Sequence, residues 1–73
     1  MRFCDRLHQT RLKQDITAQQ MADYLGISVR AYRFYEAGSR EPSLSMLTQI
    51  ANMLGVTTDF LLGREPSKDV DVL

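Results

Sequence analysis

Residues 16–28 read Ile16-Thr17-Ala18-Gln19-Gln20-Met21-Ala22-Asp23-Tyr24-Leu25-Gly26-Ile27-Ser28. Their order predicts a short helix, a tight turn and the start of a second helix. Thr17 is a good N-cap, and Gln20 stands three residues on, as in a capping box. Met21, Ala22 and Leu25 fall on one helical face for burial. Gly26 supplies the left-handed conformation that helix C-termini favour. Ile27 fills the turn, and Ser28 caps the next helix, expected over about 29–37 and stopped by Gly38. Ala22 suits a close helix crossing, where a larger side chain would push the two helices apart. Ile27, Tyr32 and Tyr35 form the apolar wedge that fixes the angle between them. Residues 18–37 therefore read as a helix-turn-helix unit.

Outward from this unit the chain stays helical. Phe3, Leu7 and Arg11 recur every four residues in a first helix over about 2–14. Beyond Gly38, Pro42 discourages helix at Glu41, and Ser43 can cap a fourth helix over about 44–54. That helix is expected to bury Leu44, Leu47, Ile50, Ala51 and Leu54, and Gly55 ends it. Thr57 or Thr58 opens a short fifth helix carrying Phe60, Leu61 and Leu62, closed by Gly63. Strand-like alternation is absent. The expected class is all-α, with one domain over residues 1–63 and a polar, frayed tail over 64–73.

Composition narrows the function classes. The 73 residues support one compact domain of modest core, so pairing with a second copy would help it. One cysteine, Cys4, forms no internal disulfide, and with a single histidine a metal site is not expected. These counts fit a reducing cytoplasm, and no apolar run approaches membrane-spanning length. An enzyme is not expected. His8 stands on a polar helix without a partnered nucleophile or paired carboxylates, and nothing suggests a cofactor or a small-molecule substrate. The methionines Met21, Met46 and Met53 sit at helical spacings that suit core filling. The net charge is zero, but it is distributed unevenly. Residues 1–40 carry seven basic against four acidic residues, a balance of +3, and residues 41–73 carry two against five, a balance of −3. Such a bipolar chain presents a basic face to phosphates and turns an acidic end away.

The exposed face of the third helix specifies the partner. At 100° per residue Tyr32, Tyr35 and Glu36 share the inner side, leaving Val29, Arg30, Arg33, Phe34 and Ala37 outside or at the flank. Arginine pairs bidentately with guanine, and valine or phenylalanine meets a thymine methyl, so Val29, Arg30, Arg33 and Phe34 are the expected base contacts in a major groove. Phe34 suits a protein interface equally well. Phosphate contacts are expected from Thr17 and Gln19 at the start of the second helix, and from Ser28, Ser39 and Arg40. Capping by the serines and the threonine is compatible with that contact. The alternative is a protein-interaction module on the same fold, such as an antitoxin or an antirepressor-like partner.

The string 16–28, followed by Tyr35-Glu36-Ala37-Gly38-Ser39-Arg40-Glu41-Pro42-Ser43, resembles the Cro/repressor-type, xenobiotic-response-element helix-turn-helix family. Leu47, Ile50-Ala51, Leu54-Gly55-Val56 and Phe60-Leu61-Leu62-Gly63 extend the resemblance over residues 3–63. It implies a five-helix lambda-repressor-like fold, homodimeric binding to a palindromic operator in double-stranded DNA, and transcriptional control in a bacterium or phage. The family often has glutamine where this chain has Ala18. The resemblance also implies a buried pair between Arg11 and Glu36. The residues' own positions agree, since Arg11 lies on the apolar stripe of the first helix and Glu36 flanks the inner side of the third.

Overall fold

The computed structural model describes residues 2–64. Five helices account for it: α1 (Phe3–Lys13), α2 (Ala18–Leu25), α3 (Val29–Ala37), α4 (Leu44–Leu54) and α5 (Thr58–Leu61). Most boundaries have a local chemical cause, although α1 starts after Arg2 without a side-chain cap. Thr17, Ser28, Ser43 and Thr57 accept a hydrogen bond from the backbone N–H three residues on. At Thr17 the capping box closes in both directions, with Gln20 N–H donating to Thr17 Oγ1 at 3.0 Å and Thr17 N–H donating to Gln20 Oε1 at 2.8 Å. Gly26, Gly38 and Gly55 stop α2, α3 and α4 with φ of 72°, 81° and 68°. These caps satisfy donors and acceptors that a helix end leaves without an intrahelical partner. The expected tail falls almost entirely outside the described residues.

The helices enclose one core. Leu7, Met21, Ala22, Tyr32, Ile50 and Leu61 are fully buried, and Ala18, Leu25, Tyr35, Leu47, Ala51 and Leu54 complete the cluster. Met46 and Met53 pack against its edge. Two hydrogen bonds span long sequence distances and hold α1 to the C-terminal helices. Gln14 Nε2 donates to the Leu54 carbonyl at 2.6 Å, and Arg6 Nε donates to the Phe60 carbonyl at 2.7 Å. The Arg6 guanidinium also lies 4.7 Å from the centre of the Phe60 ring.

One expectation about burial needs correction, and two placements are refined. Leu44 is 85% exposed rather than buried. It is the first residue of α4, and helical side chains lean toward the N-terminus. Leu44 therefore projects past the start of the helix, where no described element packs over it. Leu62 lies one residue beyond the end of α5 and is 43% exposed. On α1 the buried set is Cys4, Leu7, Thr10 and Arg11, wider than the stripe of every fourth residue, and Phe3 is only half-buried. Cys4 is a core residue.

Candidate nucleic-acid interface

The α2–α3 turn sets the direction of the exposed helix. Gly26 adopts the left-handed conformation, and Ile27 N–H reaches back to the Ala22 carbonyl at 3.0 Å. Ile27 packs against the core. Ser28 Oγ then accepts from Ala31 N–H at 3.0 Å, so α3 starts on an ordered cap. Tyr32 and Tyr35 point inward, while Arg30, Arg33 and Ala37 are exposed.

The four expected base-reading residues do not share one environment. Arg30 is exposed near the start of α3. Arg33 is exposed too, but it lines a surface depression together with Asp15, Thr17 and Ala18, beside the first turn of α2. Phe34 is half-buried, with the Arg40 guanidinium 5.0 Å from the centre of its ring. The loop after α3 folds tightly onto this point, because Ser39 N–H and Arg40 N–H both donate to the Phe34 carbonyl, at 3.0 and 3.3 Å. Val29 is half-buried and packs against the core, so it offers only an edge.

The expected phosphate-binding residues are all exposed. Thr17 and Ser28 are occupied as caps, but a hydroxyl that accepts a hydrogen bond keeps its own proton to donate. Gln19 Nε2 donates to Asp23 Oδ1 at 2.9 Å, which turns that amide along the helix. Ala18 is buried, 7% exposed, and leaves room beside Arg33 where a longer side chain would stand. Thr17 and Arg33 thus line one depression at one end of the face, and Phe34, Ser39 and Arg40 gather at the other.

Behind α3 lies a four-residue polar cluster. Glu36 Oε2 accepts from Arg11 Nε at 2.5 Å, and Oε1 accepts from Arg11 Nη2 at 3.0 Å. The third guanidinium nitrogen, Nη1, donates to the Ile16 carbonyl at 2.9 Å. Tyr32 Oη donates to Glu36 Oε2 at 2.5 Å, and His8 Nδ1 lies 2.8 Å from Oε1. Burial pushes the Glu36 carboxyl up, but the hydrogen bonds from Arg11, Tyr32 and His8 outweigh it and hold the group at about 2. The hydrogen bond to Glu36 raises Arg11, and burial followed by the same carboxylate raises the Tyr32 phenol far above its ordinary value. One carboxylate therefore joins α1, α3 and the entrance to α2. Sequence reasoning identified Arg11 and Glu36 but missed Tyr32 and His8 as polar partners. The spacing of four between Tyr32 and Glu36 is a readable signal. No spacing pointed to His8.

The family model described as Helix-turn-helix, HTH_3, matches residues 7–61. The SPbeta prophage-derived HTH-type transcriptional regulator YonR of Bacillus subtilis is 46% identical over 70 residues, covering 94% of this chain and 65% of that protein. The HTH-type transcriptional regulator AnsR of Bacillus subtilis is 45% identical over 64 residues, covering 88% and 55%. The cryptic phage CTXphi transcriptional repressor RstR of Vibrio cholerae is 39% identical over 64 residues, covering 88% and 57%. This chain thus spans between 55% and 65% of the length of these relatives. In three dimensions the fold matches that of the P22 c2 repressor, solved in complex with a synthetic operator. The TM-score is 0.81 at 23% identity, over 89% of this chain and 98% of that one.

Proposed function

The chain belongs to the helix-turn-helix family HTH_3, and from that membership we propose that it is a small bacterial or phage transcriptional regulator, acting as a repressor, that binds double-stranded DNA sequence-specifically. One observation carries the reading. A capped helix, α3, turns its two tyrosines into the core and shows Arg30 and Arg33 to solvent beside the N-terminal turn of α2. Free N–H groups and arginines side by side suit a phosphate backbone, and an exposed arginine on a helix of this length suits a major groove. In this reading Arg30 and Phe34 read bases, with Val29 contributing an apolar edge. Arg33 serves a base or the nearest phosphate. Thr17, Gln19, Ser28, Ser39 and Arg40 hold phosphates. Residues 1–63 form the DNA-binding unit. The protein works in the cytoplasm as a homodimer on a palindromic operator, and the reading assigns it no catalytic step.

The test is selection of bound sequences from random duplex DNA, followed by affinity measurements across a salt series. The expected result is a recovered two-fold-symmetric sequence, with log affinity falling linearly as log salt rises, about 0.9 per phosphate contact. A complex insensitive to salt, or an Arg30→Ala variant with unchanged affinity and selectivity, refutes it.

A further inference from the structure

We propose that Arg2, which stands ahead of the first helix and outside the helix-turn-helix unit, binds a DNA phosphate beside Arg40, so that the start of α1 is part of the DNA-binding surface. This rests on the DNA-binding reading above and adds a contact from an element that supplies none of those named there.

Arg2 is the N-cap residue of α1. Its carbonyl accepts from Asp5 N–H and Arg6 N–H, both at 3.1 Å, so the first turn of α1 fixes its backbone. This end of α1 lies against the C-terminal end of α3. The buried Cys4 Sγ would stand 3.1 Å from a Cβ placed on Gly38. The Arg2 guanidinium lies over the same glycine, where a Cβ would overlap its Nη2 and stand 3.3 Å from its Cζ. Gly38 thus leaves the space that the guanidinium occupies. The negative end of the α3 dipole favours a cation at this place.

The dipole orients the guanidinium without consuming its donors. Arg2 is exposed, and no hydrogen bond, ion pair or ring contact between described residues engages its side chain. Its N–H groups are therefore open to a ligand. Arg40 lines the same depression, of about 290 Å3, with its guanidinium stacked on the Phe34 ring. Glu41 lines it too, so two permanent positive charges stand against one negative. Planar guanidinium groups match phosphate oxygens through paired N–H donors, which selects phosphate as the ligand chemistry. DNA is the source, because the depression adjoins the reading face. Arg40 joins the two, stacking on Phe34 of α3 while its own N–H donates to the Phe34 carbonyl. A phosphate flanking the bases that Phe34 meets is the anion this pair of arginines would hold.

The test compares the whole chain with Arg2→Gln and Arg2→Lys on the duplex recovered by selection. Affinity is measured across a salt series, at a temperature where circular dichroism shows all three proteins folded, and ethylation interference maps the phosphates in contact. For Arg2→Gln the slope of log affinity against log salt should fall by about 0.9. At about 0.1 M salt that corresponds to roughly fivefold to tenfold weaker binding, with base selectivity kept. At one phosphate position ethylation should weaken the wild type but not Arg2→Gln. Arg2→Lys, which keeps the charge, should keep the slope. An Arg2→Gln variant with the wild-type slope and interference pattern overturns the proposal. A lower melting temperature with an unchanged slope overturns it too, and assigns Arg2 to the end of α3 as a structural charge alone. If selection recovers no duplex, the DNA-binding reading fails and this contact with it. If wild type binds and Arg2→Gln keeps its slope, only the contact fails.

Discussion

Replacing Glu36 by glutamine keeps the size of the side chain and removes its charge. In the folded protein this carboxylate accepts from Arg11 twice, from Tyr32 and from His8. A glutamine amide offers one oxygen in place of two and brings an NH2 group toward donors. Arg11, which is 8% exposed, keeps its bond to the Ile16 carbonyl but loses its counter-charge. The magnitude follows from the carboxyl's displacement from 4.5 to about 2. At about 1.4 kcal/mol per unit this is roughly 3 kcal/mol in favour of the ionised form in the fold. The Glu36 side chain retains some solvent contact, 11%, so about 2–3 kcal/mol is the working figure. For a domain of this size that lowers the melting temperature by roughly 10–20 °C.

The same displacement fixes the pH dependence. The folded-state value lies below the unfolded one, so the contribution is complete above about pH 5, where both states are ionised. As the pH falls from there, the unfolded chain takes up a proton that the native carboxylate refuses until about pH 2. Wild-type stability therefore declines through this window, and the wild-type and Glu36→Gln curves converge. Urea unfolding followed by far-ultraviolet circular dichroism, at pH 7, 5, 4 and 3, measures both. A difference under about 0.5 kcal/mol at pH 7, or one that stays constant down to pH 3, refutes the reasoning.

Arg30→Ala should cost about 1–3 kcal/mol of DNA affinity and relax selectivity at one base position, read by selection with the variant. Arg33→Ala tests the role beside α2, since loss of a phosphate contact reduces the salt slope by about 1 with base preference kept. Ser28→Ala removes the cap of α3 and should destabilise the protein by about 1 kcal/mol in thermal melts. Gly26→Ala and Gly38→Ala share the strain of a positive φ, but a Cβ at Gly26 meets open space, while one at Gly38 presses on the Arg2 guanidinium and lies 3.1 Å from Cys4 Sγ. The Gly38 variant should therefore melt lower than the Gly26 variant.

The helices were legible because their ends are written locally. Thr17, Ser28 and Ser43 stand before helices, Gly26, Gly38 and Gly55 stand after them, and the observed boundaries fall within a residue of those signals. Periodicity likewise told which side of α3 is inward. It did not tell how far a face is covered. Leu44 continues the apolar stripe of α4 yet has nothing above it, because coverage depends on where the neighbouring segment ends. The contacts that were unreadable join distant positions. Arg6 reaches Phe60, Gln14 reaches Leu54, and His8 reaches Glu36, across 54, 40 and 28 residues. Flexible polar side chains find such partners only after the core has fixed the helices, so no spacing announces them. The stacking of Arg40 on Phe34 belongs here too, since it depends on the turn that brings Ser39 and Arg40 back to the end of α3.

The Glu36 cluster also separates two routes by which a buried charge affects DNA binding. If Glu36 only stabilises the fold, Glu36→Gln lowers DNA affinity in proportion to the fraction folded and no more. A chain of this length has roughly 4–11 kcal/mol of stability, so a loss of about 2–3 leaves most of a mid-range population folded at room temperature. Affinity would then barely change. The hydrogen bonds indicate a second effect. Arg11 binds Glu36 on α3 and the Ile16 carbonyl at the entrance to α2, one residue before Thr17. The guanidinium thus ties the start of α2, and with it Thr17, to α3, which carries Arg33; both residues line one depression beside the first turn of α2. Loosening that link shifts a phosphate-facing pair while the core stays packed. The expected outcome for folded Glu36→Gln at 15 °C is a several-fold loss of DNA affinity with a smaller salt slope. Unchanged affinity in a sample shown by circular dichroism to be fully folded would assign the cluster to stability alone.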